Sequence, residues 1–596
     1  MFRNFNGYLQ MLCRFSKSMN KSFSLLLRQA VALSVSCLLT ISLQAQSDLP
    51  TVSLTQLNRP KGWQLVGSVS PTADGSSMRS QSGDKVMTGS AEPLTLATPT
   101  DDFRLRFEVL ATPNADVVLM LPSGQAIRLA QSAEMTRLMK APGLWQTVDV
   151  WYKKGDNKGS AMLEKLALNG VTVRESQRLT NNTLGPLTVM TKTGSMAVRN
   201  LGYRVMSPRS VAQWSGPLNY TIVEGGYIQD PNEAMRKKVL KQDTVNQLNY
   251  EVAFGQPRQY SIIFTGKLNA LQAGEYRFDL NQGGVTELWV DNKPVIPISH
   301  LELGQPNSGT TTLTAGPHDV KVYFSRSWFR PGLGLFVSQA GTRPQPLHAP
   351  ASLPEPDPVA VVSVNPDYAD SQNQVQRIRS FVQVPGEKTK RTHSLSVGSP
   401  TGLHYTLDLN QMALLQAWKG DFANTTEMWY ERGEPQLLTP LGAVVRLSPQ
   451  SPLAILADES AAWPDSLNEN TLQYKGLTID KKGLPTGEYT LAGMTVTDAV
   501  KPGAEGSGPD DSGGYALVRT LTFNGSPAGT PYCRLATGTT IEEVGKGLYA
   551  VNDRSYYVRL DPKAKVKMRQ SNGKQELLMP VDIKNGTGTV QYSIVF

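Results

Sequence analysis

The sequence predicts an all-β protein built of several β-sandwiches. Three observations predict it: short runs with apolar residues at every second position, dense Gly and Pro punctuation between them, and no heptad repeat or long amphipathic helix after the N-terminus. The 51 Gly and 39 Pro suit a chain with many tight turns. The clearest stretch runs from Phe264 to Phe324. Tyr276, Phe278 and Leu280 share one parity, as do Leu288 and Val290, and Val320, Val322 and Phe324. That period of two marks half-buried antiparallel strands, one face on a core and one toward water. Ala273-Gly274 and Ala315-Gly316 read as tight strand entries, and Asp291-Asn292 as a reversal of the sheet.

At 596 residues the chain has room for about three or four domains of roughly 150 residues. With 40% hydrophobic and 18% charged residues it can bury cores. Arg14, Lys17, Lys21 and Arg28 precede the charge-free apolar run Ala30–Leu43, followed by Gln44-Ala45-Gln46. This reads as a secretory signal (1–45) cut near Ala45, with Met19 as an alternative start. A membrane anchor needs about 20 apolar residues, so the membrane enters only through export. The expected localisation is secreted, periplasmic or cell surface. Without residues 1–45 the formal charge falls from +9 to +4, and no basic patch suits nucleic acid. Arg236-Lys237-Lys238 and the lysines near Arg391 read as solvated turns. Cys533 is the cysteine left outside the leader, and its alternation with Tyr532 predicts a buried thiol without a disulfide.

The pieces Phe264-Thr-Gly-Lys-Leu268, Ala273-Gly-Glu-Tyr-Arg-Phe278, Leu288-Trp-Val-Asp-Asn292 and Ala315-Gly-Pro-His-Asp-Val-Lys-Val-Tyr323 stand in the order of the PA-14 domain, first described in anthrax protective antigen. The resemblance covers roughly Trp214–His348 and implies a β-sandwich over 208–350. Sugar-binding members hold calcium on an adjacent Asp pair near the loop that here reads Asn281-Gln282-Gly283-Gly284, where no acidic pair stands. Calcium therefore has no support, and no other cofactor or metal is expected. Trp328, Phe329 and Arg330 in a Gly/Pro loop suit a stacking platform for a sugar ring, or a loop folded over its own aromatics. His318 shares the parity of Val320 and Val322 and reads as an inward, satisfied residue.

Residues 46–207 contain strand-like runs at 63–67, 103–109, 117–121, 145–151, 166–173, 187–190 and 196–205, with Asn169-Gly170 as a two-residue hairpin turn. Gly143-Leu-Trp145, Leu168-Asn-Gly-Val171 and Gly185-Pro-Leu187 … Met196-Ala-Val-Arg-Asn-Leu-Gly-Tyr203 resemble the laminin-G-like (concanavalin-like) jelly roll of the 3-keto-disaccharide hydrolase family. The centre departs from that pattern: apolar residues occupy Val117–Leu121, where the family carries polar site residues. Glycoside cleavage requires two carboxyl groups across one bond, or a metal or base in their place. Asp116 and Glu134 are the nearby candidates as catalytic acids, with surface acids as the plainer reading. Trp145, Trp151 and Tyr152 are candidate sugar-binding aromatics, although strand alternation sends one of Trp151 and Tyr152 into the core.

Residues 351–372, with Pro354, Pro356, Pro358 and Pro366, read as a semi-rigid linker. From 373 to 596 a larger β-sandwich is expected, interrupted by the low-complexity loop Lys501–Gly514. Trp418-Lys-Gly-Asp-Phe422 and Trp429-Tyr-Glu-Arg-Gly433 resemble an accessory β domain found beside haem and sugar-dehydrogenase modules in secreted bacterial proteins. A supersandwich of the galactose-mutarotase type is one expectation for it. His393, His404, Asp408 and Asp421 form the best polar cluster by sequence, either an acid–base or metal group or a set of paired polar residues.

Three functions follow as expectations: exported, non-catalytic carbohydrate binding or scaffolding; a glycoside or 3-keto-disaccharide hydrolase or lyase using the first module; and a structural or adhesive surface protein. Carbohydrate is the expected partner. No phosphate-cradling glycine loop opens a helix, so nucleotides are not expected.

Overall fold

The computed structural model describes residues 49–72, 76–90, 92–130, 132–155, 160–181, 184–305, 307–355, 359–366, 375–429, 436–503 and 514–596. The leader at 1–45, most of the low-complexity loop, Pro356 and Pro358, and Tyr430–Gly433 lie outside them. Antiparallel strands dominate, as the period of two predicts, and the longest α-helix among the described residues is Ala133–Leu138. Two compact units divide the chain. One comprises the described part of Arg204–Pro358 with Asp101–Phe103, here the insert unit. The other joins Leu49–Thr100 and Arg104–Tyr203 to Val359–Phe596, here the composite unit.

In the insert unit, one sheet runs in the order Val239–Val245, Leu218–Glu224, Tyr260–Ala270, Gly316–Ser325, Gly284–Val290, Lys293–Leu301, with Ala212–Trp214 on the flank of Tyr260–Ala270. A four-stranded sheet, Asn307–Leu313, Gly274–Gln282, Leu333–Ser338 and Gln345–Pro346, lies in the same unit. The core draws on both: Tyr220, Phe264, Leu288 and Phe324 come from the first sheet, Tyr276 and Phe278 from the second. Tyr276, Phe278, Leu288 and Phe324 belong to the parity sets seen in the sequence, and Leu280, Val290, Val320 and Val322 join them in this core. Pro350–Ser352 form a 3-10 turn seated on this unit, with Ser352 Oγ donating to the Leu333 carbonyl at 2.7 Å and accepting from Tyr250 N–H at 3.2 Å. The start of the expected linker is thus built into the sandwich, because its serine caps two backbone groups.

The first half of the composite unit pairs a seven-stranded sheet with a four-stranded one, and Asn169 (φ +51°) with Gly170 (φ +87°) makes the expected hairpin turn. Strand Met78–Gly89 was not legible in the sequence, since most of it is polar and exposed. It pairs with Gln64–Pro71 where Gly67 and Gly83 meet; a Cβ on Gly83 would lie 2.4 Å from Gly67 Cα. The second half holds sheets of six, four and eight strands, three rather than the two expected. Its core includes Val397, Tyr405, Tyr489, Val496, Phe523 and Ile594. Cys533 lies within it, its thiol pushed up to about 12 by burial and so inert at neutral pH.

The two halves touch directly. Ala141 and Leu144 pack with Ala516, Ala550, Tyr557 and Val595, and Tyr557 Oη donates to the Gly143 carbonyl at 2.8 Å. Deep in the second half, Arg519 donates to both oxygens of Asp498 (3.0 and 2.6 Å) and to the Met412 carbonyl (2.6 Å). Both charges are sealed from water, so removing one strands the other. Asp498→Ala is expected to cost about 3–5 kcal/mol of unfolding free energy, read by urea denaturation, while Asp498→Leu with Arg519→Met should cost less than the single change.

Candidate functional site

Two loops and one strand of the insert unit bring a cluster of rings together. The chain leaves strand Leu218–Glu224 through Gly225-Gly226-Tyr227, where Gly225 N–H donates to the Gln259 carbonyl and Tyr227 N–H to the Arg326 carbonyl. Tyr227 sits at φ +57°, a left-handed conformation held by these bonds and by Ile228 N–H on Ser325 Oγ at 3.0 Å. A Cβ on Gly226 would stand 2.6 Å from the Arg326 carbonyl oxygen, so a side chain there would force the loop apart. Strand Lys293–Leu301 supplies His300, and the loop after Gly316–Ser325 supplies Trp328 and Phe329.

The rings brace one another. Tyr227 lies 4.8 Å from His300 and 4.7 Å from Trp328 between centroids, His300 lies 4.7 Å from Trp328, and Phe329 stacks on His300 at 4.5 Å and 20°. Such packing stiffens each ring. Trp328 nevertheless remains 66% exposed and Tyr227 41% exposed. Burial lowers the His300 pKa, so its ring is neutral at pH 7, and its Nε2 is buried without a hydrogen-bond partner.

Beneath the platform runs Asn281–Gly284. Gly283 N–H donates to the Gly332 carbonyl at 2.9 Å, and a Cβ on Gly283 would meet the Arg330 carbonyl oxygen at 1.8 Å. Asn281 Oδ1 accepts from Gly304 N–H, and Gln282 Nε2 donates to Ser299 O and Oγ, both at 3.0 Å. The side chains of this loop serve the backbone around them. Among the described residues no group of three or more His, Cys, Asp or Glu is arranged to hold a metal ion.

The remaining residues singled out in the sequence are placed as follows. Arg330 is exposed beside the platform. Trp145 is buried under the Arg199 guanidinium, 4.0 Å from the ring centroid, and Tyr152 is fully buried. Neither offers a ring to a sugar: alternation along Gln146–Lys153 turns Tyr152 inward, and Trp145 joins Val66 and Leu110 in a core. Trp151 is partly exposed beneath Arg104 at 4.6 Å. Asp116 faces Arg128 at 3.7 Å and Glu134 pairs with Arg174 at 2.8 Å, so each carboxylate has its own arginine.

The polar cluster is not assembled as one group. His404 Nδ1 accepts from Ser399 N–H and Nε2 donates to the Gly420 carbonyl at 2.9 Å, between Trp418 and Phe422. Asp408 pairs with Arg391 at 3.0 Å; it shares a strand face with His404, as the spacing predicts, but Thr406 stands between them and each has its own partner. Asp421 pairs with Arg137 at 2.5 Å, and exposed His393 lies beside Thr392 and Asn410.

His318 is inward and satisfied, with Nδ1 2.6 Å from Asp291 Oδ2 and Nε2 2.8 Å from the Thr314 carbonyl. Both nitrogens face acceptors, which suits the imidazolium. Burial alone would lower its pKa, but the bonds to Asp291 and Thr314 outweigh it and raise the value. Tyr227 and His300 were missed by sequence reasoning; the only local signal was the Gly-Gly pair ahead of an aromatic.

No family model and no curated protein matches the chain. Among solved structures, the PA14 domain of the MpAFP antifreeze protein is 14% identical over 24% of this chain and 91% of its own, with a TM-score of 0.20. The epithelial adhesin 9 A domain from Candida glabrata, in complex with Galb1-3GlcNAc, is 9% identical over 24% of this chain and 88% of its own, at 0.19. A β-glucosidase from Kluyveromyces marxianus is 16% identical over 21% of this chain, at 0.18. The match spans only 16% of the length of that β-glucosidase. Overlaps this slight add nothing to the functional reading, which rests on the geometry of the site.

Two outcomes follow. Gly283→Ala should push the Arg330 carbonyl outward, costing about 1–3 kcal/mol and changing the fluorescence of Trp328. Burial holds the His404 pKa down to about 4, against about 6.5 when unfolded. Its stabilisation is fully present above pH 6.5 and is lost as pH falls toward 4. The melting-temperature difference between wild type and His404→Gln should therefore shrink across that interval.

Proposed function

We propose that this chain is an exported, non-catalytic carbohydrate-binding protein whose insert unit holds a sugar ring on Trp328. One observation carries the reading: a large exposed indole fixed in place by three neighbouring rings, on loops with little freedom to fold over it. An indole face suits the C–H face of a pyranose, and pre-set rings spare the entropy of ordering a loop on binding. The arginine partners of Asp116 and Glu134 favour binding over cleavage, since each carboxylate is occupied by its own guanidinium. Export rests on the leader-like residues 1–45.

A glycan array with the full mature chain, followed by titration calorimetry on the best ligand, tests the proposal. Trp328→Ala should weaken binding about tenfold or more and leave the melting temperature within a degree or two. Retention of no glycan, or equal affinity in the variant, would overturn it.

A further inference from the structure

The insert unit has a second feature, away from the Trp328 platform. Four adjacent strands of its larger sheet place one row of side chains in register: Asn219 opposite Thr265, Thr265 opposite Lys321, and Lys321 opposite Trp289. Their neighbours Tyr220, Phe264, Val322 and Leu288 point into the core, so the row lies on the face turned away from it. A second row, Lys267 opposite Asp319, runs alongside, closed by an ion pair at 2.8 Å. Together these residues line an open groove of about 530 Å³. At about 4.8 Å between strands, the first row is roughly 14 Å long, the span of a short chain rather than of one small molecule.

Two details indicate the ligand. The Lys321 ammonium lies 4.0 Å from the Trp289 ring centroid and has no carboxylate within ion-pair distance among the described residues. The Trp289 Nε1–H is buried with no acceptor. Glu287, two residues along the strand on the same face, is nearly buried and outside the lining, and Asp319 is engaged by Lys267. The floor of the groove therefore holds a cation resting on an aromatic face, with a donor beside it. An anionic group that draws Lys321 off the ring gains a charge-assisted bond and uncovers the indole for stacking. Asn219 and Thr265 continue the row with groups suited to hydroxyls.

We infer that this groove binds an acidic oligosaccharide, with a carboxylate or sulfate on Lys321 and the sugar face on Trp289. The Asp291-Asn292 turn at one end is fixed by Asp319 N–H on Asp291 Oδ1 at 3.0 Å, so the groove is pre-formed. This site is independent of the Trp328 platform and stands whether or not that reading holds.

The experiment titrates the full mature chain with tetramers of galacturonate, hyaluronan, alginate and chondroitin sulfate, and with neutral galactotetraose, following tryptophan fluorescence and heat. At least one acidic tetramer should bind, at least tenfold more weakly in 1 M than in 0.1 M salt. Lys321→Gln should weaken it tenfold or more, Lys321→Arg should stay within about threefold, and Trp328→Ala should leave it unchanged. Absence of binding by every acidic tetramer at millimolar concentration would overturn the proposal. So would equal binding of the neutral tetramer by Trp328→Ala, in which the platform is removed, wild-type affinity in Lys321→Gln, or loss of acidic binding in Trp328→Ala. If Lys321→Gln melts early, the Lys321→Arg result and the salt dependence of the wild type still decide.

Discussion

A pleated strand sends alternate side chains to opposite faces, so every sheet has one face that must be covered by something apolar. In the insert unit the two sheets cover each other, and Tyr276 and Phe278 from one meet Phe264 and Phe324 from the other. Once that demand is met, the positions left for recognition are the loops at the ends of the strands and the face turned from the core. Trp328 occupies the first kind of position and Trp289 the second. Neither ring is needed to fill the interior, which has aromatic residues enough without them.

How a ring is held decides what it offers. Trp145 and Trp328 are both tryptophans beside turns, yet Trp145 lies within a core under Arg199, while Trp328 stands out on three supporting rings. Sequence cannot separate these cases, because the supports come from distant loops. His300 and Tyr227 lie in other strands and turns, and neither belongs to a motif with the Trp328 loop. The same applies to His404 and Asp408. Their spacing suggested a shared face, which the unbroken strand keeps, yet each finds a different partner supplied by another stretch of chain: Arg391 for Asp408, the Gly420 carbonyl for His404.

The strands themselves were far more legible. Parity assigned the core faces around Phe264–Phe324, and Asn169-Gly170 marked its hairpin, because both signals are local. What escaped was non-local in origin. Strand Met78–Gly89 is polar along most of its length and is recognisable only through its partners and the close approach of two glycines. Ala351 and Ser352 read as the start of a linker because the prolines that follow are visible in sequence, while the hydrogen bonds of Ser352 to Leu333 and Tyr250 are not.

The composite unit is drawn from both ends of the chain. Gly143 accepts its bond from Tyr557, and Arg199 reaches Asp553, across some four hundred positions of sequence. During synthesis the early strands therefore emerge long before the surface that covers Ala141 and Leu144 exists. The insert unit, whose pairings are drawn almost wholly from its own stretch of chain, can be finished in the interval. A ribosome-bound chain would thus pass through a stage in which the middle is native and the beginning still waits for the end, its apolar patch at Ala141 and Leu144 uncovered until the last strands arrive.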